Sequence, residues 1–391
     1  MPPPVYPHIS PNIAQARFGG RVLAACAALL VLAACGGGDG PVTPPPPNPL
    51  VVTATGRMER GSTITVTVTA DGQPASGYAL SAQPADAIEV VSPGLVKLVR
   101  TGAVTLTATA GTRTGKTDLT VAVPPVVVFD RYVNNNRDIW RVDLDGQNLT
   151  QLTTDTGEDQ DPTVAQGKVV WVSFRAGRAE LYSRTLAAGG TDTRITNTVV
   201  DESVPAFSPD GARLGFAQVA GGVTKVFTSN ADGTGAVRAT SNNFGFSGAI
   251  ETAPTFAPGS KLAFVATANG SADIFEVVGA AAPTLLAGGN MAEVEPAWSA
   301  NGNTLAFVSN RTGSTEIFLL NVGTGAVTQL TSGAGTKSQP AWTPDGRVVY
   351  LETQNNGATL LRWVDPAQPA TVTTINTGPG TVEHPAVAPG S

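Results

Sequence analysis

The chain has 391 residues, 41% of them hydrophobic, which is ample for more than one packed core. Its 44 glycines and 30 prolines suit strands and turns better than helices, and its formal net charge of -6 argues against binding nucleic acid or acidic lipid through protein charge. No basic cluster interrupts that balance.

At the amino end, Arg17 and Arg21 precede an apolar run from Val22 to Ala34 that is too short for a permanent membrane span. The run closes on Leu32-Ala33-Ala34-Cys35, followed by Gly36-Gly37-Gly38. These residues, in this order, resemble a bacterial lipoprotein signal. The resemblance implies cleavage before Cys35, lipidation of its thiol and acylation of the new amino terminus, so that several acyl chains hold the protein to the bilayer. Gly36 stands where inner-membrane retention would call for aspartate, which implies anchoring to the outer membrane, with the folded part in the periplasm or at the cell surface. Residues 1–16 look foreign to such a signal, as a misassigned start codon would explain, and residues 1–34 are read as extension plus signal peptide. Cys26 would leave with the signal, so no disulfide framework is expected.

Residues 35–49, glycine first and then Pro44 to Pro47, have the composition of a tether. Residues 50–123 alternate with period two in Thr63–Thr69, Val104–Thr109 and Leu119–Val123, with turns at Asp71-Gly72 and Pro93-Gly94. The spacing predicts a small sandwich, and the segment resembles bacterial Ig-like domains. Gly111 to Thr117 imitates a phosphate loop, but the pattern's first glycine falls on Ala110 and strand residues follow, so a hairpin turn is expected.

From residue 126 onward one phrase recurs: proline, a small residue, usually an aromatic, then a tight turn. It begins at Pro162, Pro205, Pro254, Pro296, Pro340 and Pro385, at intervals of 43, 49, 42, 44 and 45. Each unit reads as four short strands, the last ending in Gln-Leu-Thr or a relative, as at Gln151-Leu152-Thr153 and Gln329-Leu330-Thr331. Repeats of this length without helical patterning predict propeller blades. Val126–Phe129, Asp138–Val142 and Asn148–Thr153 supply a blade lacking its inner strand, and Glu383 to Pro389 supply an inner strand lacking its blade. The reading is therefore all-β: a small Ig-like sandwich, then a six-bladed propeller over 126–391 closed by the C-terminal strand. A seven-bladed ring with one degenerate unit and an open two-domain sandwich are the alternatives.

Pro205-Ala206-Phe207-Ser208-Pro209-Asp210-Gly211 and its copies resemble the repeats of TolB-like propellers. Function varies among such propellers, so the fold says little about activity. One histidine, His384, survives in the mature chain and no cysteine is free of lipid, so neither a Cys-His pair nor a His-rich metal site can be assembled; a Gly-x-Ser-x-Gly elbow is absent, and no nucleophile is evident for His384 to serve as a base. Phe207, Phe256, Trp298 and Trp342 recur at one repeat position and are read as core between blades. Asp159, Glu202, Glu251 and Glu293 stand three residues before the phrase, with Lys337 and then Val382 beside Glu383 completing the series. They are expected to crowd the channel mouth, where Glu158, Asp161, Asp201 and Glu295 would deepen the field and attract a cation, Ca2+ being the candidate, or a basic peptide end. No other cofactor is expected. The function read from all this is a non-enzymatic interaction or scaffold lipoprotein whose partner is an envelope protein or a cell-wall or surface polymer. The alternatives are a carbohydrate, cation or small-ligand binding module and a carboxylate-based hydrolase or lyase.

Overall fold

The computed structural model describes residues 47–388 apart from 221, 241–247, 260 and 269. Cys35, the leader, most of the tether, the loop inside the longest repeat interval and Pro389 therefore lie outside the described residues. Among the described residues every named element is a strand, and no helix is long and apolar enough to cross a membrane.

Two smaller sheets come first. Val51–Thr55, Thr63–Ala70, Leu95–Leu98 and Ile88–Ser92 pair in that order, with Gln73–Pro74 added to the second strand. A three-stranded sheet of Ala79–Gln83, Gly102–Ala110 and Arg113–Val121 completes the pair. Alternation does what the sequence asks of it: Ile64, Val66 and Val68 are buried while the threonines between them face out, and they share one core with Val104, Leu106 and Ala108 of the other sheet. The phosphate-loop lookalike is a hairpin turn, with Ala110 paired to Arg113 across Gly111 and Thr112.

Six four-stranded antiparallel sheets follow. Five are built from consecutive chain, beginning at the inner strands Asp159–Ala165, Glu202–Phe207, Ile250–Phe256, Glu293–Trp298 and Thr336–Trp342. In the sixth, the shared sheet, Thr381–Ala388 pairs with Val126–Val133, which pairs with Asn136–Asp143 and then Thr150–Gln151. The six inner strands touch one another in cyclic order. Cores lie between successive sheets, where Phe216, Phe264 and Phe307 are almost wholly buried.

Ion pairs tie the two smaller sheets to this array. Arg347, 2% exposed, gives Nη2 to both oxygens of Glu59 at 3.0 and 2.8 Å and lies 4.9 Å from the ring centre of Trp363. Arg60 Nε meets Asp145 at 2.6 Å and a second nitrogen pairs with Asp143, while Arg57 pairs with Asp345 and Asp365. Burial pushes the Glu59 carboxyl up, and Arg347 opposes that shift.

Candidate functional site

Proline lacks the N–H that a ladder needs, so each inner strand must break register where its proline falls. It does so by a bulge: pairing skips from Gln160 to Thr163, Ser203 to Ala206, Thr252 to Thr255, Val294 to Ala297, Ser338 to Ala341 and Glu383 to Ala386. The residue before each proline takes a left-handed backbone: Asp161, Val204, Ala253, Glu295, Gln339 and His384 have φ of 53°, 44°, 48°, 52°, 53° and 49°. Those six residues and their prolines line a cavity of about 160 Å³. The bulge thus turns one side chain per sheet toward a common axis.

Four of the six form part of a hydrogen-bonded belt, each acceptor taking the N–H of the next sheet. Gln339 N–H donates to Glu295, and His384 N–H donates to Gln339 Oε1 at 2.6 Å. His384 Nδ1 lies 2.7 Å from Asp130 Oδ1 and its Nε2 lies 3.1 Å from Asp161 Oδ1. Asp130 Oδ1 also accepts from Asp161 N–H at 3.2 Å, and Asp161 Oδ2 accepts from Val204 N–H at 3.3 Å. Val204 and Ala253 have no acceptor to pass on, so the belt is apolar in that sector. Burial alone would lower the His384 pKa, but the hydrogen bond it donates to Asp130 and the charge of Asp161 outweigh it and push it up to about 9. Burial raises Asp161 and Glu295.

Asp130, Glu383 and His384 bring ligand atoms within 4.8 Å of one another and could hold a metal ion. Arg137 sits in that cluster already, 2.6 Å from Asp130 and paired with Glu383 as well. Two carboxylates and an imidazole do not select Ca2+, which prefers six to eight oxygens.

The four carboxylates expected at the channel mouth are elsewhere. Asp159, Glu202, Glu251 and Glu293 are at most 1% exposed. Arg175 donates to Asp159 at 2.8 Å. Thr196 donates to Glu202 at 3.1 Å and Gln218 at 3.3 Å. Glu251 takes Lys225 Nζ at 3.0 Å and Thr240 at 2.6 Å, and Glu293 takes Ser309 at 3.1 Å and Arg311 at 2.9 Å. They are equivalent positions, but each is buried against partners in its own or the preceding sheet. Lys337 is likewise buried, 3.6 Å from Glu316, and Val382 is buried. Of the supporting residues, Asp161 and Glu295 do reach the cavity, whereas Glu158 and Asp201 are exposed.

Sequence reasoning missed Asp130, Arg137 and the threonine that ends Gln-Leu-Thr. Thr153, Thr196 and Thr331 accept the N–H of Ile139, Leu181 and Ile317 at 2.8 to 2.9 Å, and Thr196 and Thr331 donate to Glu180 and Glu316. The recurring threonine was the available signal. Burial and the neighbouring Asp159 charge push Asp138, in the same network, up to about 6.

Six four-stranded sheets around an axial cavity, with one phrase repeated in each inner strand, define a β-propeller. Residues 165–284 and 284–389, together more than half of the chain, match the TolB beta propeller domain family, and the chain belongs to it. A protein TolB homolog of Chlorobium luteolum is 27% identical over 165 residues, 41% of this chain and 36% of its own length. One from Protochlamydia amoebophila is 27% identical over 205 residues, 48% and 43% respectively, so the chain spans less than half the length of these curated relatives. The crystal structure of TolB from Acinetobacter baumannii is similar with a TM-score of 0.63 at 19% identity, covering 80% of this chain and 83% of that one, a likeness of fold alone.

Proposed function

We propose that the protein is a non-enzymatic interaction or scaffold lipoprotein of the bacterial envelope. In this reading residues 1–34 are extension and signal, Cys35 carries the lipid, 35–49 are the tether, 50–123 are an Ig-like spacer and 126–391 are a six-bladed propeller with the terminal strand as its clasp. The outer membrane is the anchoring bilayer, and the partner is an envelope protein or a cell-wall or surface polymer. The observation that carries the reading is a TolB-family propeller standing behind a leader that ends in Leu32-Ala33-Ala34-Cys35. The buried carboxylates support it further, because each already has internal partners.

Two measurements test the proposal. Metabolic labelling with a palmitate analogue should mark the wild type and leave Cys35→Ser unlabelled, and an unlabelled wild type overturns the anchor. Pull-down from envelope extract should retain a discrete protein in moderate salt, whereas capture on a glycan array without any protein would favour the carbohydrate reading. Cation binding is a second reading favoured by the Asp130, Glu383 and His384 set. Calorimetric titration of the wild type and Glu383→Gln with Ca2+ and with Zn2+ decides it, and absence of heat with both ions in the wild type removes it.

A further inference from the structure

The inner strands carry a second set of equivalent residues, two positions after each proline: Val164, Phe207, Phe256, Trp298, Trp342 and Val387. All six line another cavity, of about 600 Å³. Phe207, Phe256 and Trp298 are 8%, 5% and 7% exposed and belong to the cores between sheets, as their spacing predicts, yet each keeps an edge on this space. The collar is uneven. Its two valines fall in neighbouring sheets, the shared one and the first, and the smaller side chains leave room there. Arg141, Gly167 and Leu186 form the wall of that sector, and a Cβ built on Gly167 would meet nothing within 4 Å.

Arg141 is the one charged residue among those lining the cavity. Its pairing is loose: Nη1 is 3.4 Å from Leu186 O, Nη2 is 3.7 Å from Asp143 Oδ1, and its buried Nε has no hydrogen-bond partner. The other oxygen of Asp143 is held by Arg60 and by Asn148 at 2.8 Å. Elsewhere on the wall the hydroxyls are engaged, Ser299 with Asn301 at 2.9 Å and Thr343 with Asp345. A ligand here would meet aromatic edges, prolines and one under-partnered guanidinium, and among the described residues lining the cavity none is a carboxylate.

We propose that this cavity binds an amphiphilic carboxylate, its apolar ring or chain against the aromatic collar and its carboxylate at Arg141. The site is independent of the anchoring and scaffold reading. Isothermal titration of the full chain with 2-naphthoate should give one-to-one binding, and 2-naphthamide, equal in shape but uncharged, should bind about tenfold more weakly. Arg141→Gln should bind the two compounds alike. Ala187→Glu, a change at an exposed wall position, should weaken naphthoate and spare naphthamide, which keeps the test decisive if the Arg141 variant fails to fold. A peptide with an apolar last residue, offered with a free and an amidated carboxyl end, distinguishes a chain terminus from a free small acid as the source of the group. Absence of heat with naphthoate, or equal preference for it in wild type and both variants, overturns the proposal.

Discussion

His384 holds two carboxylates from two neighbouring sheets, and its charge is what they recognise. Its folded pKa of about 9 lies above the ordinary 6.5, so its contribution is complete below about 6.5 and is lost as pH rises through about 9. The melting temperature of the wild type should fall more steeply between pH 7.5 and 10 than that of His384→Gln, which should be less stable by about 1–3 kcal/mol at neutral pH. Parallel curves for the two proteins would contradict the assignment. Asp138, at about 6, titrates on the acid side and leaves this window clear. Val204 offers a second test, because a β-branched residue at φ 44° is strained. Val204→Asn should tolerate that backbone and present an acceptor to the neighbouring sheet, raising the melting temperature by a few degrees. Glu251→Ala, by contrast, leaves buried Lys225 without its counter-charge and should cost about 3–5 kcal/mol in a urea melt.

Among elements, the strand Thr381–Ala388 matters most, since it covers the edge of Val126–Val133 from Tyr132 to Val126 and buries Val382 and Ala388. Truncation after Thr381 should lower the melting temperature by about 10 °C or more and promote aggregation by baring that edge. An unchanged melt would mean that the strand bears no weight. The inner strands were legible because each carries its proline and is soon followed by a glycine, in an Asp-Gly or Asn-Gly pair in three of the six, and the outer strands because Gln-Leu-Thr or a relative repeats. The facing of Asp159, Glu202, Glu251 and Glu293 was not, because period-two counting cannot be carried through a bulge. The belt was hidden for a different reason: Asp130 and His384 stand 254 residues apart and belong to different strands of the shared sheet. In the smaller sheets, Ala79–Gln83 escaped notice because Ala-Leu-Ser-Ala-Gln has almost no apolar alternation.

At the scale of the molecule, the Glu59–Arg347 pair joins two cores that could otherwise move about the Pro124-Pro125 connection. Glu59→Ala leaves the buried Arg347 guanidinium with Asp345 as its remaining carboxylate and should cost about 1–3 kcal/mol, splitting one calorimetric transition into two. A single transition at the original temperature would show that the pairs of Arg57 and Arg60 are sufficient. The shared sheet has a further implication, for how the chain can be re-cut. Val126 and Ala388 are paired neighbours, so the beginning of one strand lies beside the end of another. A short glycine-serine bridge between them, with new termini opened at the exposed Thr312-Gly313 turn, gives a circular permutant in which every inner strand keeps both neighbours. Such a permutant should fold without the two smaller sheets, and the starting point of the repeat would then be an accident of gene order, with any of the six sheets able to serve as the seam.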